Sequence, residues 1–317
     1  MTYIDIEQIL VSTSFFMLVL ATLLSWINIP YESHKLNSFG KRSMAIAFLC
    51  TTAFLATRWV QTKHLPSSNL YESSMFLSWS FSLSYIILKI KNQNEWSGAI
   101  AAPSATLTHA FATSGLPAEM QQSTLLVPAL QSHRLMMHVS TTLPSYATLL
   151  CGSLSAMSLL VIFRSKVNRR MTFNSSGSYD LYAPILKISN DHRRTLFQNT
   201  FFLLSLNLRK CQLINQLDRL TYQAISLGFI FLTIGILSGA VWANEAWGSY
   251  WSRDPKETWA LVTWSIHATY LHIKITKSWG SKGPAVMAST GFFLVWICFL
   301  GVNLSGIGLH NYGWLLP

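Results

Sequence analysis

Apolar residues fall in long blocks along this chain. Eight blocks can be placed, at residues 8–29, 43–60, 71–90, 96–113, 136–163, 222–241, 258–273 and 285–304. A helix of about 20 residues crosses the roughly 30 Å of hydrocarbon in a bilayer. Lipid offers backbone groups no water to bond, and the blocks do not alternate as barrel strands do, so the pattern predicts helices. The fold class is therefore all-α: one polytopic membrane domain over residues 1–317, with about eight transmembrane helices.

The composition changes what can be said about partners. Half of the 317 residues are apolar and 11% are charged, whereas soluble domains carry roughly 25% charged residues. This balance excludes an ordinary soluble globule. The formal net charge of +11 would suggest nucleic acid as a partner of a soluble protein, but here we expect a lipid bilayer and no nucleic acid.

Lys and Arg residues are concentrated in one set of connections. Eighteen of the 23 lie around residues 35–42, 89–91, 164–219 and 274–282, and five lie in the opposite set. Basic connections stay on the side from which a membrane protein inserts. The pattern predicts both termini on the far side and residues 164–221 as a basic loop on the near side. An apolar run in this loop, LFQNTFFLLSLNL, is typical of a helix at the membrane interface.

Tryptophans are concentrated after the sixth block. Five of the twelve fall in VWANEAWGSYWSRDPKETWALVTW, which the topology places on the far side; residues 242–257 are called the tryptophan segment below. An aromatic belt at the membrane interface explains two or three of them. Indole faces that bind a large planar ligand explain the density. Composition supports the two interpretations about equally.

Two histidines accompany the tryptophan segment. His138 opens the fifth block and His310 follows the eighth, so both are predicted on the far surface. Axial coordination of haem iron needs one or two such ligands from distant positions, whereas zinc needs four close ones. His109 and His267 lie within predicted helices, either as functional groups or bonded to neighbours. His272 lies in the near-side half, about 140° around the helix from His267, so these two cannot share a ligand.

Asp254 and Glu257 are spaced to share a face if the seventh helix begins early. Carboxylates at a helix N-terminus are stabilised by its dipole, which explains Glu257 better than Asp254. The functional alternative is that they orient the loop or hold a histidine tautomer.

The segment WANEAWGSYWSRDPKETW resembles the tryptophan-rich "WWD" signature of haem-handling proteins in cytochrome c biogenesis, especially the plastid-encoded members. The likeness continues in NLYESSMFLSWSF, FATSGL, LVPALQSHRLMMHVS and GVNLSGIGLHNYG. It implies a role in haem attachment: haem b, as a transported substrate, is carried to the lumenal face of the thylakoid membrane and presented to the CxxCH site of apocytochrome c. It also implies a membrane partner of the CcsB type.

The resemblance also implies functions for individual residues. His138 and His310 match the outer ligands of haem iron, and His272 matches a membrane-embedded histidine that receives haem first. The haem-binding loop would comprise Trp242, Trp247, Trp251, Asp254, Glu257 and Trp259. No catalytic residue is assigned, because the bond-forming chemistry belongs mostly to haem and the substrate thiolates. Whether the chain is an enzyme, as part of a cytochrome c synthase, stays open.

Some residues depart from the family pattern. This chain has Arg134 and Arg253 where the family has Trp, and Pro117 and Pro144 where it has Leu. It has Thr141 and Thr142 where the family has apolar residues, and His267 where it has Tyr. Each change follows from a C where the message would need a U. We therefore expect C-to-U RNA editing of a plastid transcript, after which position 267 would no longer be a histidine.

Three other functions stay open at this point. A haem exporter would deliver haem without a role in attachment. An electron-transfer subunit like cytochrome b would hold haem between paired histidines on facing helices, but His109, His267 and His272 lie at unrelated depths. A solute transporter with an ordinary aromatic belt would be colourless.

Overall fold

A computed structural model of the chain describes residues 3–31, 33–91, 96–117, 121, 132–174, 190–276 and 282–305, with only the backbone of residues 3–4, 91, 165–174, 190–210, 247 and 304–305. Within these ranges the regular structure is helical and contains no strand, which confirms the all-α class. The helices are α1 (Tyr3–Tyr31), α2 (His34–Thr62), α3 (Leu70–Lys91), α4 (Trp96–Ala110), α5 (His133–Asn174), α6 (Asn190–Trp247), α7 (Pro255–Thr276), α8 (Lys282–Trp296) and the short α9 (Val302–Ser305).

Successive helices run up and down through one bundle. The antiparallel order is clear where the end of α2 meets the start of α3, through Arg58 and Glu72, and where the start of α5 meets the end of α6, through His138 and Gly239. The hydrogen bonds between helices follow this order: Trp79 to Thr52, Ser78 to Ala105, Ser145 to Gly228 and Trp264 to Thr233. We call the end of the bundle that holds residues 248–254 the outer end, and the opposite end the inner end.

Five of the helices, α1, α2, α5, α6 and α8, are long and apolar enough to cross a membrane. Of the others, α3 is the most enclosed, and six of its serines are buried. Ser80 and Ser84 donate to carbonyls one turn earlier, while Ser78 donates to Ala105 of α4. Small side chains let neighbouring backbones approach closely, so α3 can occupy the centre without a wholly apolar surface.

The helices α5 and α6 extend into the connection that the sequence predicts to be a basic loop. α5 continues to Asn174 and α6 begins at Asn190, so the described parts of residues 164–221 are helical. The apolar run at residues 196–208 lies inside α6, where a separate interfacial helix was expected. Residues 190–221 contain no Gly or Pro, and extending an existing helix adds one hydrogen bond per residue fixed.

A buried ionic cluster joins α1, α2 and α3 near the outer end. The Arg58 guanidinium lies 3.7 Å from Glu7 and 3.6 Å from Glu72, and it donates to the Gln121 carbonyl at 2.5 Å. It also lies over the ring of Tyr71, 5.2 Å from the centroid. The ion-pair distances exceed hydrogen-bond length, so these attractions are Coulombic. Arg58 therefore ties three helix ends to the segment after α4.

Candidate functional site

A pocket opens between α5, α6 and α7, beside residues 248–254. It holds about 640 Å³ of empty space, part of it open to solvent. Its described wall is mostly apolar and aromatic, with a few polar groups: His138, Thr142, Tyr146, Leu232, Ile236, Gly239, Ala240, Trp242, Ala243, Tyr250, Trp251, Lys256, Glu257 and Ala260. Pockets of this kind, apolar with a few placed polar groups, are typical binding sites for small molecules.

The His138 ring is held against α6 in one tautomer. Its Nδ1 lies 2.7 Å from the Gly235 carbonyl oxygen. Since a carbonyl only accepts, Nδ1 carries the hydrogen, and in the neutral ring Nε2 then carries the lone pair. A Cβ on Gly239 would lie 2.6 Å from Nδ1, so only glycine lets the ring lie this close to α6. His138 is therefore preorganised to offer Nε2 to a metal.

The tryptophan segment is mostly helical, and its tryptophans differ in surroundings. Trp242, in α6, is 2% exposed in the pocket wall, while Trp251 is 40% exposed at the rim with Tyr250 beside it in sequence. Trp259 does not line the pocket, and the side chain of Trp247 is outside the described part. Thus two of the four predicted tryptophans, Trp242 and Trp251, are found together at the pocket.

Trp264 belongs to the helix packing. Its Nε1 donates to Thr233 Oγ1 of α6 at 2.9 Å, and its ring stacks on Phe229 with centroids 5.3 Å apart. This tryptophan fixes α7 against α6 below the pocket. The density of tryptophans therefore combines a packing role with the pocket wall.

Residues 248–254 are held by their backbone and by Glu257. After α6 ends at Trp247, Gly248 adopts the left-handed region (φ 75°), a conformation that favours glycine, and its amide donates to the Asn244 carbonyl. Arg253 has φ 58°, which is uncommon for a residue with a side chain. The Glu257 carboxylate accepts from both the amide and the hydroxyl of Ser252, each at 2.9 Å.

Asp254 and Glu257 therefore have separate functions in the loop. Asp254 precedes α7, is buried, and its carbonyl accepts from the Thr258 amide at 3.1 Å, which starts the helix. Glu257 lies in the first turn of α7 and reaches back to Ser252. For Glu257, this arrangement agrees with the expected role of orienting the loop.

Sequence reasoning identified His138 but did not place Thr142, Tyr146, Gly239 and Lys256 at the site. His138, Thr142 and Tyr146 recur every four residues and line the pocket from one face of α5. Gly235 and Gly239 form a G-x-x-x-G pattern, which is typical of close helix packing in membranes. Both spacings are readable in the sequence.

Lys256 lines the pocket, and its backbone contacts the buried thiol of Cys298. The Tyr146 hydroxyl lies 3.2 Å from Cys298 Sγ, and that sulfur lies 4.0 Å from the Lys256 carbonyl oxygen. Lys256 precedes the apolar stretch of α7, and burial lowers its pKa to about 8, while nearby Cys298 and Asp254 act in the opposite direction. The pocket thus contains a cationic group that is partly removed from water.

The remaining histidine predictions have different outcomes. His310 lies outside the described residues. His272 is exposed on α7, sixteen residues after Lys256, which places it roughly 24 Å away along the helix, toward the inner end. His109 is buried and bonds to Ser14 Oγ at 2.8 Å. His267 is buried too, and its Nδ1 donates to the Thr263 carbonyl at 2.7 Å. The described pocket wall includes only His138 among these.

Comparison with known proteins adds the family. The family profile described as cytochrome C assembly protein matches residues 67–310, which span the whole pocket. The chain belongs to the cytochrome c assembly protein family. It is 58% identical to the cytochrome c biogenesis protein CcsA of Adiantum capillus-veneris, over 99% of this chain and 100% of that one. The identity is 55% with the CcsA protein of Pinus thunbergii, over 100% of both chains.

A solved structure supports the family's fold. The cytochrome c haem lyase CcmF superposes with a TM-score of 0.53 at 15% identity, covering 97% of this chain and 52% of that one. At this identity the likeness concerns the fold alone, and this member of the assembly family spans about half the length of CcmF. The chain is thus a multi-pass membrane protein of cytochrome c biogenesis.

Proposed function

We propose that this protein presents haem at its outer end for attachment to the CxxCH site of apocytochrome c. The observation that supports this most directly is the His138 ring, which lines an aromatic pocket with its tautomer set by the Gly235 carbonyl. Membership of the cytochrome c assembly family supports the process to which the pocket contributes.

The pocket residues suit haem b as a transported substrate. The ligand is planar and apolar with an iron at its centre, and the wall offers aromatic faces and one imidazole. In this proposal His138 binds the iron from one side through Nε2, and His310 binds it from the other. Trp242 and Trp251 flank the porphyrin, and Trp247 would add a third indole, whereas Trp259 lies outside the described pocket wall.

The chain's own residues bind and orient the substrate. Attachment joins the two vinyl groups of haem to the two substrate thiols, so the protein needs no nucleophile of its own. Holding the haem fixed while its vinyl edge faces outward converts a random encounter into an oriented one. Glu257 and Asp254 contribute by fixing residues 248–254 next to the pocket.

We place the protein in the thylakoid membrane with both termini and the tryptophan segment in the lumen. The distribution of Lys and Arg supports this orientation, with residues 164–221 on the stromal side. His272, exposed on α7 toward the inner end, would receive haem before its transfer outward. A membrane partner of the CcsB type would cover haem during this step.

RNA editing is part of the proposal. Buried His267 Nε2 has no hydrogen-bond partner in the described structure, and Pro144 interrupts the hydrogen bonding of α5. Both residues are unfavourable where they stand, and a C-to-U change would replace each. Sequencing of the mature transcript should show changed codons at positions 144, 253 and 267. Unchanged codons there would refute the editing proposal.

Covalent attachment itself tests the proposed function. The chain would be co-expressed with a CcsB-type partner and an apocytochrome bearing CxxCH, in a bacterial host that lacks its own maturation system. We expect covalent haem in the cytochrome, and its loss in His138→Ala. His133→Ala is the matched control, because His133 lies five residues away on α5, exposed and outside the pocket wall. Equal attachment with His138→Ala would contradict the proposal. Delivery of free haem without attachment would favour the exporter.

A further inference from the structure

The Arg58 cluster, which comprises Glu7, Arg58 and Glu72, contains more negative than positive charge. Two carboxylates face one guanidinium, at 3.7 Å and 3.6 Å, and among the described residues no other basic side chain pairs with either of them. The Glu72 side chain is fully buried and that of Glu7 is 16% exposed. An uncompensated charge in such a place is costly, and a buried group usually binds a proton and becomes neutral instead.

The two carboxylates differ in the hydrogen bonds they accept. Glu72 Oε2 accepts from the Ser68 amide at 2.9 Å and from the Ser68 hydroxyl at 2.6 Å. Glu72 also lies in the first turn of α3, where the helix dipole stabilises negative charge. Glu7 Oε1, in contrast, is buried without a hydrogen-bond partner in the described structure, and Arg58 lies beyond hydrogen-bond length from Glu7. The surroundings therefore stabilise a negative charge on Glu7 less than one on Glu72.

The other titratable groups near Glu7 do not add a second cation. Those on the neighbouring helices are Arg58 of α2, Glu72 and Tyr71 of α3, and His109 of α4. The ring of Tyr71 lies against the guanidinium, 5.2 Å from its carbon. His109 contacts α1 at Ser14, about 10 Å along that helix from Glu7. Asp5 is exposed, about 200° around α1 from Glu7.

We propose that Glu7 holds a proton in the folded protein at neutral pH, which makes the Arg58 cluster a proton-binding site of the outer end. With this proton the cluster is neutral, and Glu72 alone forms the ion pair with Arg58. Arg58 also donates to the Gln121 carbonyl, and an ionised Glu7 would compete with that carbonyl for the guanidinium. Acidity on the outer side would thus strengthen the attachment of the segment after α4. The site is separate from the haem pocket and does not depend on haem presentation.

The proton gives stability a defined pH dependence. In an unfolded chain a Glu side chain loses its proton at about pH 4.3. Above that pH the folded protein binds one proton more than the unfolded chain, so its stability falls as the pH rises. Between about pH 5 and pH 7, Glu7 should raise the unfolding equilibrium constant about tenfold per pH unit. Glu7→Gln is neutral at every pH and should remove this contribution.

Infrared spectroscopy of the purified full chain can observe the proton directly, because a protonated carboxyl group has its own C=O stretching band. We expect this band at pH 7 in the parent and in Glu245→Gln, which removes an exposed carboxylate of the same end. The band should be absent in Glu7→Gln. Thermal unfolding of the same three proteins at pH 5 and pH 7 should show a loss of stability at the higher pH that is smaller in Glu7→Gln.

The outcomes decide the proposal even if Glu7→Gln fails to fold. A parent without the band at pH 7, or bands of equal intensity in the parent and in Glu7→Gln, overturns it. If the variant does not fold, the parent alone is sufficient: its band must disappear reversibly as the pH is raised, and its stability must fall from pH 5 to pH 7. A band that persists at high pH, or a stability that does not fall, also overturns the proposal.

Discussion

At the scale of single residues, the position of the His138 ring depends on Gly239. An added Cβ would lie 2.6 Å from Nδ1 and 2.7 Å from Cε1 of that ring, so Gly239→Ala must displace His138 or spread α5 from α6. We expect a loss of stability of about 1–3 kcal/mol and weaker haem binding, measured by thermal unfolding and the visible spectrum. Gly40→Ala is the control, because its added Cβ would meet nothing closer than 3.7 Å. Normal haem binding in Gly239→Ala would contradict the close-packing argument.

Glu257 determines the order of the loop. Replacing it with Gln keeps one acceptor oxygen and removes the negative charge, so the Ser252 amide and hydroxyl can no longer both donate to a charged carboxylate, and the remaining neutral hydrogen bonds are weaker. We expect faster hydrogen exchange at residues 248–254 in Glu257→Gln, with the exchange of α7 unchanged. Glu245→Gln removes an exposed carboxylate of the same end that pairs with Arg134, and it should not affect the loop. Equal protection of residues 248–254 in both variants would contradict the assigned role.

At the scale of helices, Arg58 connects the outer ends of α1, α2 and α3. Arg58→Ala would leave Glu7 and Glu72 without their buried cation. Removing one partner of a buried ion pair typically costs about 3–5 kcal/mol, so we expect a large fall in thermal stability in detergent. Lys63→Ala, at the exposed end of the same helix, should change stability by less than about 0.5 kcal/mol. Similar unfolding temperatures for the two variants would show that the cluster is not stabilising.

The helices could largely be predicted from the sequence, because their signal is local. Each of the eight apolar blocks lies largely within one helix, since the length of apolar residues that lipid requires is readable directly. The helical extension of α6 to Asn190 could not be anticipated from hydropathy, because polar helix formers resemble loop residues in composition. The Arg58 cluster was missed because its members are separated by up to 65 positions in the chain.

At the scale of the whole molecule, the sequence predicted the location of the site and the structure added its wall. The basic-residue bias and the tryptophan segment together placed His138 beside Trp242 and Trp251, and the pocket contains all three. The wall itself depends on how closely α5 and α6 pack, which Gly235 and Gly239 determine. That distance is a property of two helices together. The spacing of Thr142 and Tyr146 from His138 is readable in the sequence, but only the fold shows that these residues and Lys256 line one pocket.

The most direct test of haem presentation is an optical spectrum of the purified protein, co-expressed with a CcsB-type partner, both with Arg253 and with Arg253→Trp. We predict a Soret band that weakens in His138→Ala and His310→Ala and partly returns when imidazole is added, because imidazole replaces a missing axial ligand. His133→Ala should match the parent. A colourless protein in every preparation, or a Soret band of equal intensity in the parent and in His138→Ala, would contradict haem presentation. The tryptophan segment would then be interpreted as an interfacial belt.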